Sequence, residues 1–219
     1  MIHTILDTDL YKFTTSYAYI KLFPYAMGTF SFKDRDETVY TEAFLNKLKA
    51  EVANLANVAL TDKELEYMTR NCRFLPRVYW EWLSSFRFQP EKIDIYLDEE
   101  HHLNIEITDY LYKSTLYEVP LLAIVSEIKN QTQGNVANPE EIICKLSEKV
   151  VLSNEHQLSF SEFGTRRRFS FDVQDRVISY LKKSAHYCTG TSNCYFAMKY
   201  EMKMMGTHPH EWFMFHGAQ

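Results

Sequence analysis

Glycine and proline are scarce in this 219-residue chain, with six of each, and both shortages narrow the fold. Low-complexity, collagen-like and linker-like architectures need far more of them, so most residues belong to regular elements with short connections. Paired cysteines are missing as well: Cys72, Cys144, Cys188 and Cys194 form no C-x-x-C unit. That argues against a disulfide framework or a structural zinc and points to free thiols in a reducing cytoplasm. No stretch approaches roughly 18 uninterrupted apolar residues, so no segment reads as a membrane span. The opening MIHTILDTDLYKF carries acids where a signal peptide has its apolar run. Nor is there an excess of basic charge, since 24 Lys and Arg against 29 Asp and Glu leave a net −5. A nucleic-acid coat is disfavoured, while one basic pocket for a phosphorylated small molecule stays compatible.

What the chain has in plenty is aromatic rings: 15 Phe, 15 Tyr and 3 Trp, enough to fill a large core. The spacing predicts a helix from about Asp9 to Phe23, ended by Pro24, with Tyr11, Phe13, Thr14, Tyr17, Ile20 and Lys21 on its steps. The alternation in MGTFSFKDR predicts a strand, and Val39 to Leu55 a second helix. Thr61-Asp-Lys-Glu64 is a capping-box pattern for another, and Pro76 fits the first turn of the next. IDIYLDEEHHLNIEIT reads as a hairpin around an acidic, His-bearing turn. Helices are expected at Glu118–Thr132 and Pro139–Val151, joined through Gly134–Asn138.

From about Ser153 the alternation changes kind, which suggests an N-terminal α/β domain over 1–152 and a second unit over 153–219. There Leu158–Phe163, Ala185–Cys188 and Lys203–Met205 read as strands, and Asp172–Lys183, Asn193–Tyr200 and His210–Ala218 as helices. Strands alternating with helices imply parallel pairing, with ligands gathering at the strand-to-helix loops. A closed barrel needs about eight such units in some 250 residues, and only three fit. The expected fold is therefore an α+β domain packed on the first units of an irregular, incomplete α/β barrel, the N-terminal part of a longer protein.

Four segments carry chemistry. Gly164-Thr-Arg-Arg-Arg168 offers a glycine for close backbone approach and guanidinium groups for phosphate or carboxylate. A solvated basic turn is the alternative, and the pattern does not choose among the three arginines. Thr189-Gly-Thr-Ser-Asn193 suits either an oxyanion-binding loop or a helix cap at Ser192 or Asn193. Gly206-Thr-His-Pro-His-Glu-Trp212 places His210 beside Glu211, suited to acid–base work or to attack on a phosphoryl group, or else to a structural role. It does not match the zinc motif H-E-x-x-H. In Leu6-Asp-Thr-Asp-Leu-Tyr-Lys12, Thr8 or Asp9 suits a helix cap, while Tyr11 suits stacking on a flat ring. The Met-rich end, Met198 to Met214, reads as core and interface filling.

Together LDTDLYKFT, LYEVPLLAIVSE, FSEFGTRRRFS, GTSNCYFAMKY and MGTHPHEWFMFHGA closely resemble the N-terminal half of the nicotinate phosphoribosyltransferases, from Leu6 to the last residue in unbroken order. The resemblance implies a type II phosphoribosyltransferase, in which an N-terminal α/β domain packs on an irregular barrel and the enzyme works as a homodimer. It implies transfer from 5-phosphoribosyl-1-pyrophosphate to nicotinate for NAD biosynthesis, with Mg²⁺ and with ATP hydrolysis coupled through a phosphorylated His, here His210. By the same resemblance Tyr11 and Thr207 hold nicotinate, Phe163 stacks on its ring, and Arg166 lies near the carboxylate or phosphoribosyl group. Asp9, Gly164, Arg168, Ser192 and Glu211 are read as their support, with Glu211 orienting His210 or facing solvent. No metal ligand is assigned within the chain. A nicotinamide-using relative and an inert fragment acting as a binding or regulatory partner are the competing readings.

Overall fold

The computed structural model describes residues 1–34 and 38–217. Helix α1 (Leu10–Leu22) is followed by strand β1 (Met27–Ser31), α2 (Glu42–Asn54), α3 (Asp62–Asn71) and α4 (Arg77–Ser85). Strands β2 (Ile93–Leu97) and β3 (Leu103–Tyr110) lead into a short α5 (Leu111–Ser114), then α6 (Glu118–Thr132) and α7 (Pro139–Glu155). The last part holds β4 (Phe160–Glu162), α8 (Phe171–Ser184), β5 (Cys188–Thr191), α9 (Cys194–Lys199) and α10 (His210–Gly217). The expected strand at MGTFSFKDR and the helix to Ala218 each end on a residue, Arg35 and Ala218, outside the described ones.

Local chemistry accounts for most boundaries. Thr61 accepts from Glu64 N while the Glu64 carboxylate accepts from Thr61 N, so the capping box forms in full. Pro76 sits one residue earlier than expected, at the N-cap of α4. In the hairpin, Ile93, Ile95 and Leu97 face Ile107, Ile105 and Leu103 across the register. Their turn is shaped by Asp98, which accepts from the backbone of Glu100 and His102, and by His101 at φ 61°. Strand β3 lies between β1 and β2 in an antiparallel sheet, and its inward residues join one large core around Trp80, Phe13, Phe44 and Leu48.

Helix α1 departs from its expected stripe. Leu10, Tyr11, Lys12, Phe13, Thr15, Ser16 and Tyr19 are buried, so its first half is enclosed on nearly all sides. The periodicity of apolar residues could not show this, because Lys12 and Ser16 are polar and yet wholly covered.

In the last third, β4 and β5 pair in parallel, as the alternation predicts, and a single bridge from Thr191 to Met204 marks where the third expected strand runs. Among the described residues no closed barrel forms. The strand expected at Ala185–Cys188 is instead Cys188–Thr191. Ala185 still closes α8 by donating to Leu181 O, and Asn154 clasps Ser184 and His186, which delays extension. Ser153 lies inside α7, whose Val150 packs with Leu181 and Ala185 in a second, smaller core.

Candidate active site

The segment before α1 threads through the last third of the molecule. Leu10 N donates to Ser192 O, Cys194 N to Thr8 O, and Tyr195 N to Leu6 O, so LDTDLYK and TGTSN run side by side. The Thr165–Arg167 turn packs on α6, where Ser126 donates to Arg168 O. Gly206 lies against Leu10, close enough that an added Cβ would meet its side chain at 3.6 Å. Four segments far apart in order thus converge at the N-terminus of α1.

A chain of ionic groups with alternating sign runs through this convergence. The Arg166 guanidinium donates to Glu118 at 3.0 Å and stands 4.0 Å from Asp9. Glu118 gives its other oxygen to Lys12, whose ammonium also reaches Glu211 at 2.7 Å and Thr115 at 3.3 Å. The rings of Tyr11 and Phe30 lie 5.3 and 5.7 Å from that ammonium. Burial raises the Glu118 carboxyl, but Lys12 and Arg166 outweigh it and hold the group below its ordinary value. Asp9 goes the other way: burial lifts it, and neither the 2.6 Å hydrogen bond from Ser192 nor Arg166 fully reverses the effect. Tyr11 is 5% exposed, and burial with Glu118 and Asp9 nearby pushes its phenol far up, so it stays protonated.

The three arginines separate cleanly. Arg168 turns inward, forks onto Asp7 at 2.8 and 2.9 Å, and reaches Met1 O and Gln174. Asp7 also takes a hydrogen bond from Asn193, so Arg168 belongs to the scaffold beneath the site. Arg167 is exposed, and its side chain has no hydrogen-bond or ionic partner among the described residues, although its N–H donates to Gly164 O. Arg166 is half-exposed, and of its five N–H donors one hydrogen bond is used, leaving donors for a carboxylate or phosphate. Phe163, at 40% exposure, makes no ring contact among the described residues and presents a free face at the same turn.

Other expectations are redirected. Asn193, not Ser192, caps α9, accepting from Phe196 N at 3.0 Å. The backbone N–H groups of Thr191, Ser192, Asn193, Cys194 and Tyr195 all have protein acceptors, so this loop offers none of them to an anion. The Gly164 N–H is likewise taken, by Glu162 at 2.6 Å. Asp9 stands at the N-cap position of α1 but makes no side-chain cap, because its carboxylate receives Ser192 instead. Glu211 neither orients His210 nor faces solvent; it is drawn to Lys12 and Thr115. His210 is exposed on the first turn of α10, and Thr207 is exposed on the loop before it.

Lys12, Glu118 and Thr115 escaped the sequence reading. Lys12 and Glu118 lie within quoted motifs, yet nothing in their neighbours announces that their charges will be buried against each other. An apolar cleft of about 440 Å³, lined by residues including Tyr17, Tyr79, Trp82, Tyr110 and Tyr112, contains no expected site residue.

Comparison with known proteins gives a consistent picture. Residues 6–126 match the model of the nicotinate phosphoribosyltransferase N-terminal domain, and residues 158–219 that of the nicotinate phosphoribosyltransferase family. The chain is 37% identical to a nicotinate phosphoribosyltransferase of Chromohalobacter salexigens over 100% of its length and 56% of that protein's. It is 38% identical to one of Methanosarcina acetivorans, over 98% and 57% respectively. A crystal structure of nicotinate phosphoribosyltransferase from Porphyromonas gingivalis superposes with a TM-score of 0.97 at 44% identity, covering 100% of this chain and 56% of that one. The chain spans about half the length of the curated relatives it matches.

Proposed function

The chain belongs to the nicotinate phosphoribosyltransferase family, and from that premise we propose that it serves the transfer of a phosphoribosyl group from 5-phosphoribosyl-1-pyrophosphate to nicotinate. The C1′–oxygen bond to pyrophosphate breaks, the ring nitrogen supplies the electron pair for the new C1′–N bond, and nicotinate mononucleotide and pyrophosphate leave. The observation that carries this reading is the half-exposed Arg166, its spare donors set beside Tyr11 and at the same turn as the bare Phe163 ring. A flat anion needs such a combination: an aromatic face for stacking and a forked cation for the carboxylate. The charge of Arg166 favours nicotinate over the neutral amide.

Coupling to ATP runs through His210. An imidazole nitrogen attacks the γ-phosphorus, ADP departs, and water later takes the phosphoryl group from the phosphohistidine. Exposure of His210 supports the assignment, since ATP must reach it. Mg²⁺ would neutralise pyrophosphate and ATP, but among the described residues no group of three or more His, Cys, Asp or Glu side chains could hold a metal ion. Asp7, Glu118 and Glu211 are already engaged by Arg168, Arg166 and Lys12, so no step is assigned through the metal. The same reading makes the protein a cytoplasmic homodimer; among the described residues no helix is long and apolar enough to cross a membrane.

The test supplies the natural-length protein with nicotinate, 5-phosphoribosyl-1-pyrophosphate and ATP labelled at the γ position. Nicotinate mononucleotide should form, and label should appear on the wild type but not on His210→Ala. No mononucleotide would overturn the reading, and label on the alanine variant would remove His210 from its role.

A further inference from the structure

Lysine is almost never fully covered unless it is paired, and Lys12 is at 0% exposure in the first turn of α1, the helix that opens the site. Its two acids come from different places: Glu118 begins α6, and Glu211 lies in the first turn of α10. We propose that Lys12 is a positioning residue that couples the turn carrying His210 to the Arg166 pocket. The proposal rests on the reading of His210 as the phosphorylated group and of Arg166 as the nicotinate ligand.

The connection is short and continuous. Glu118 is shared, with Oε1 on Arg166 and Oε2 on Lys12. Lys12 then holds Glu211, which Thr115 also binds, and Glu211 is the neighbour of His210. Among the described residues, helix α10 has no other hydrogen-bonded or ionic side-chain anchor to the rest of the protein. None of its residues is buried, and its remaining ties among the described residues are ring contacts of Trp212, Phe215 and His216 with Tyr19 and Phe23, and of Phe213 with His208 on the preceding loop. An element held by one buried ion pair and a few ring contacts, with Trp212 and Phe215 only partly buried, can occupy two positions at little cost, as a switch requires.

A phosphoryl group brings about −1.5 to −2 of charge, here one residue from Glu211. It repels Glu211 and competes for the Lys12 ammonium. As Lys12 loosens from Glu211 it draws closer on Glu118, and the hold of Glu118 on Arg166 changes in turn. The state of His210 is thereby read as a change in how freely Arg166 meets a carboxylate. A lysine serving stability alone would have no such dependence.

The experiment measures the nicotinate KM of the natural-length protein with and without ATP, in the wild type and in Lys12→Met and Glu211→Gln. Glu211→Gln guards against a Lys12→Met protein that fails to fold, because the amide keeps the shape of Glu211 and its side chain retains 14% exposure, against 0% for Lys12. In the wild type, ATP should change the KM by a factor within the usual range of site coupling, about 5- to 150-fold. In both variants the ratio should collapse toward one while label from ATP still reaches His210. A folded variant that keeps the wild-type ratio would overturn the coupling. So would a wild type that makes mononucleotide with a KM indifferent to ATP, although the transfer activity would stand. A wild type that makes no mononucleotide would remove the functional reading and the coupling together.

Discussion

Arg166 and Arg168 stand two residues apart and answer to different demands. Arg168 is 4% exposed and bidentate on Asp7, so Arg168→Met leaves a carboxylate buried with Asn193 as its remaining donor. Breaking a buried pair from one side is strongly unfavourable, and urea unfolding should show a loss of about 3–5 kcal/mol. Arg166→Ala removes a half-exposed side chain and should change stability by less than about 1 kcal/mol. On the role proposed for Arg166, nicotinate binding by titration should nevertheless weaken at least about tenfold, the loss expected for one charge-assisted hydrogen bond. Equal losses of stability in the two variants would erase the distinction. Asp9 supplies a test by pH. A carboxyl raised in the folded state contributes stability when protonated, and that contribution is lost as pH rises through its folded value; Asp9 is such a group. Glu118 is lowered, so its contribution is present above the unfolded value and is lost as pH falls through its own. Asp9→Asn should therefore gain more stability over the wild type at about pH 7 than at about pH 4, read as the difference in urea midpoints. A difference that does not vary with pH would contradict the burial argument.

At the scale of elements, the junction of β5 with the segment at Met204 depends on Gly190. Its φ is +154°, and an added Cβ would stand 2.1 Å from Lys203 O and 2.9 Å from the Met205 side chain. Neither neighbour can withdraw easily, since Thr191 N donates to Lys203 O and Met205 N to Thr191 O. Gly190→Ala should destabilise the protein by at least about 2 kcal/mol. Hydrogen exchange at Thr191 and Met205 should rise first, and an unchanged melting temperature with unchanged protection there would refute this. Asn193 links the same strand to function: one side chain caps α9 and binds both Asp7 and Thr165, so the strand end, the GTRRR turn and the LDTDLYK segment share a fastening.

For the whole molecule, the parallel pair β4–β5 is the thinly covered feature, with all of β4 only partly buried and Thr189 of β5 exposed. Parallel sheets are ordinarily covered on both faces, whereas here the sheet is two strands and one bridge, Leu158 just before β4 is exposed, and so are Val151 and Leu152 on α7. Phe213 and Met214 of α10 are exposed as well, so the Met-rich end is only partly buried, with Met198 and Met204 against the core. The 219-residue chain alone should therefore associate with rising concentration in sedimentation velocity and turn over little or no nicotinate. A clean monomer at all concentrations, or full-rate mononucleotide synthesis, would each count against the corresponding half of this expectation.

Elements whose causes are local were legible in advance. The Thr61–Glu64 capping box, the alternating hairpin and the bounds of α6 depend on neighbours a few residues away, and sequence displays those directly. The motifs that mark the family were legible for the same reason, each being contiguous. What only tertiary structure decided is which charge meets which. Lys12 and Glu211 are 199 positions apart, and Arg168 and Asp7 are 161 apart. No periodicity reports a partner at such distance, because the pairing exists only once helices and strands have excluded water from the space between them. The same exclusion gave Arg168, read from the sequence as a supporting residue, its place on buried Asp7, and made a core residue of a lysine.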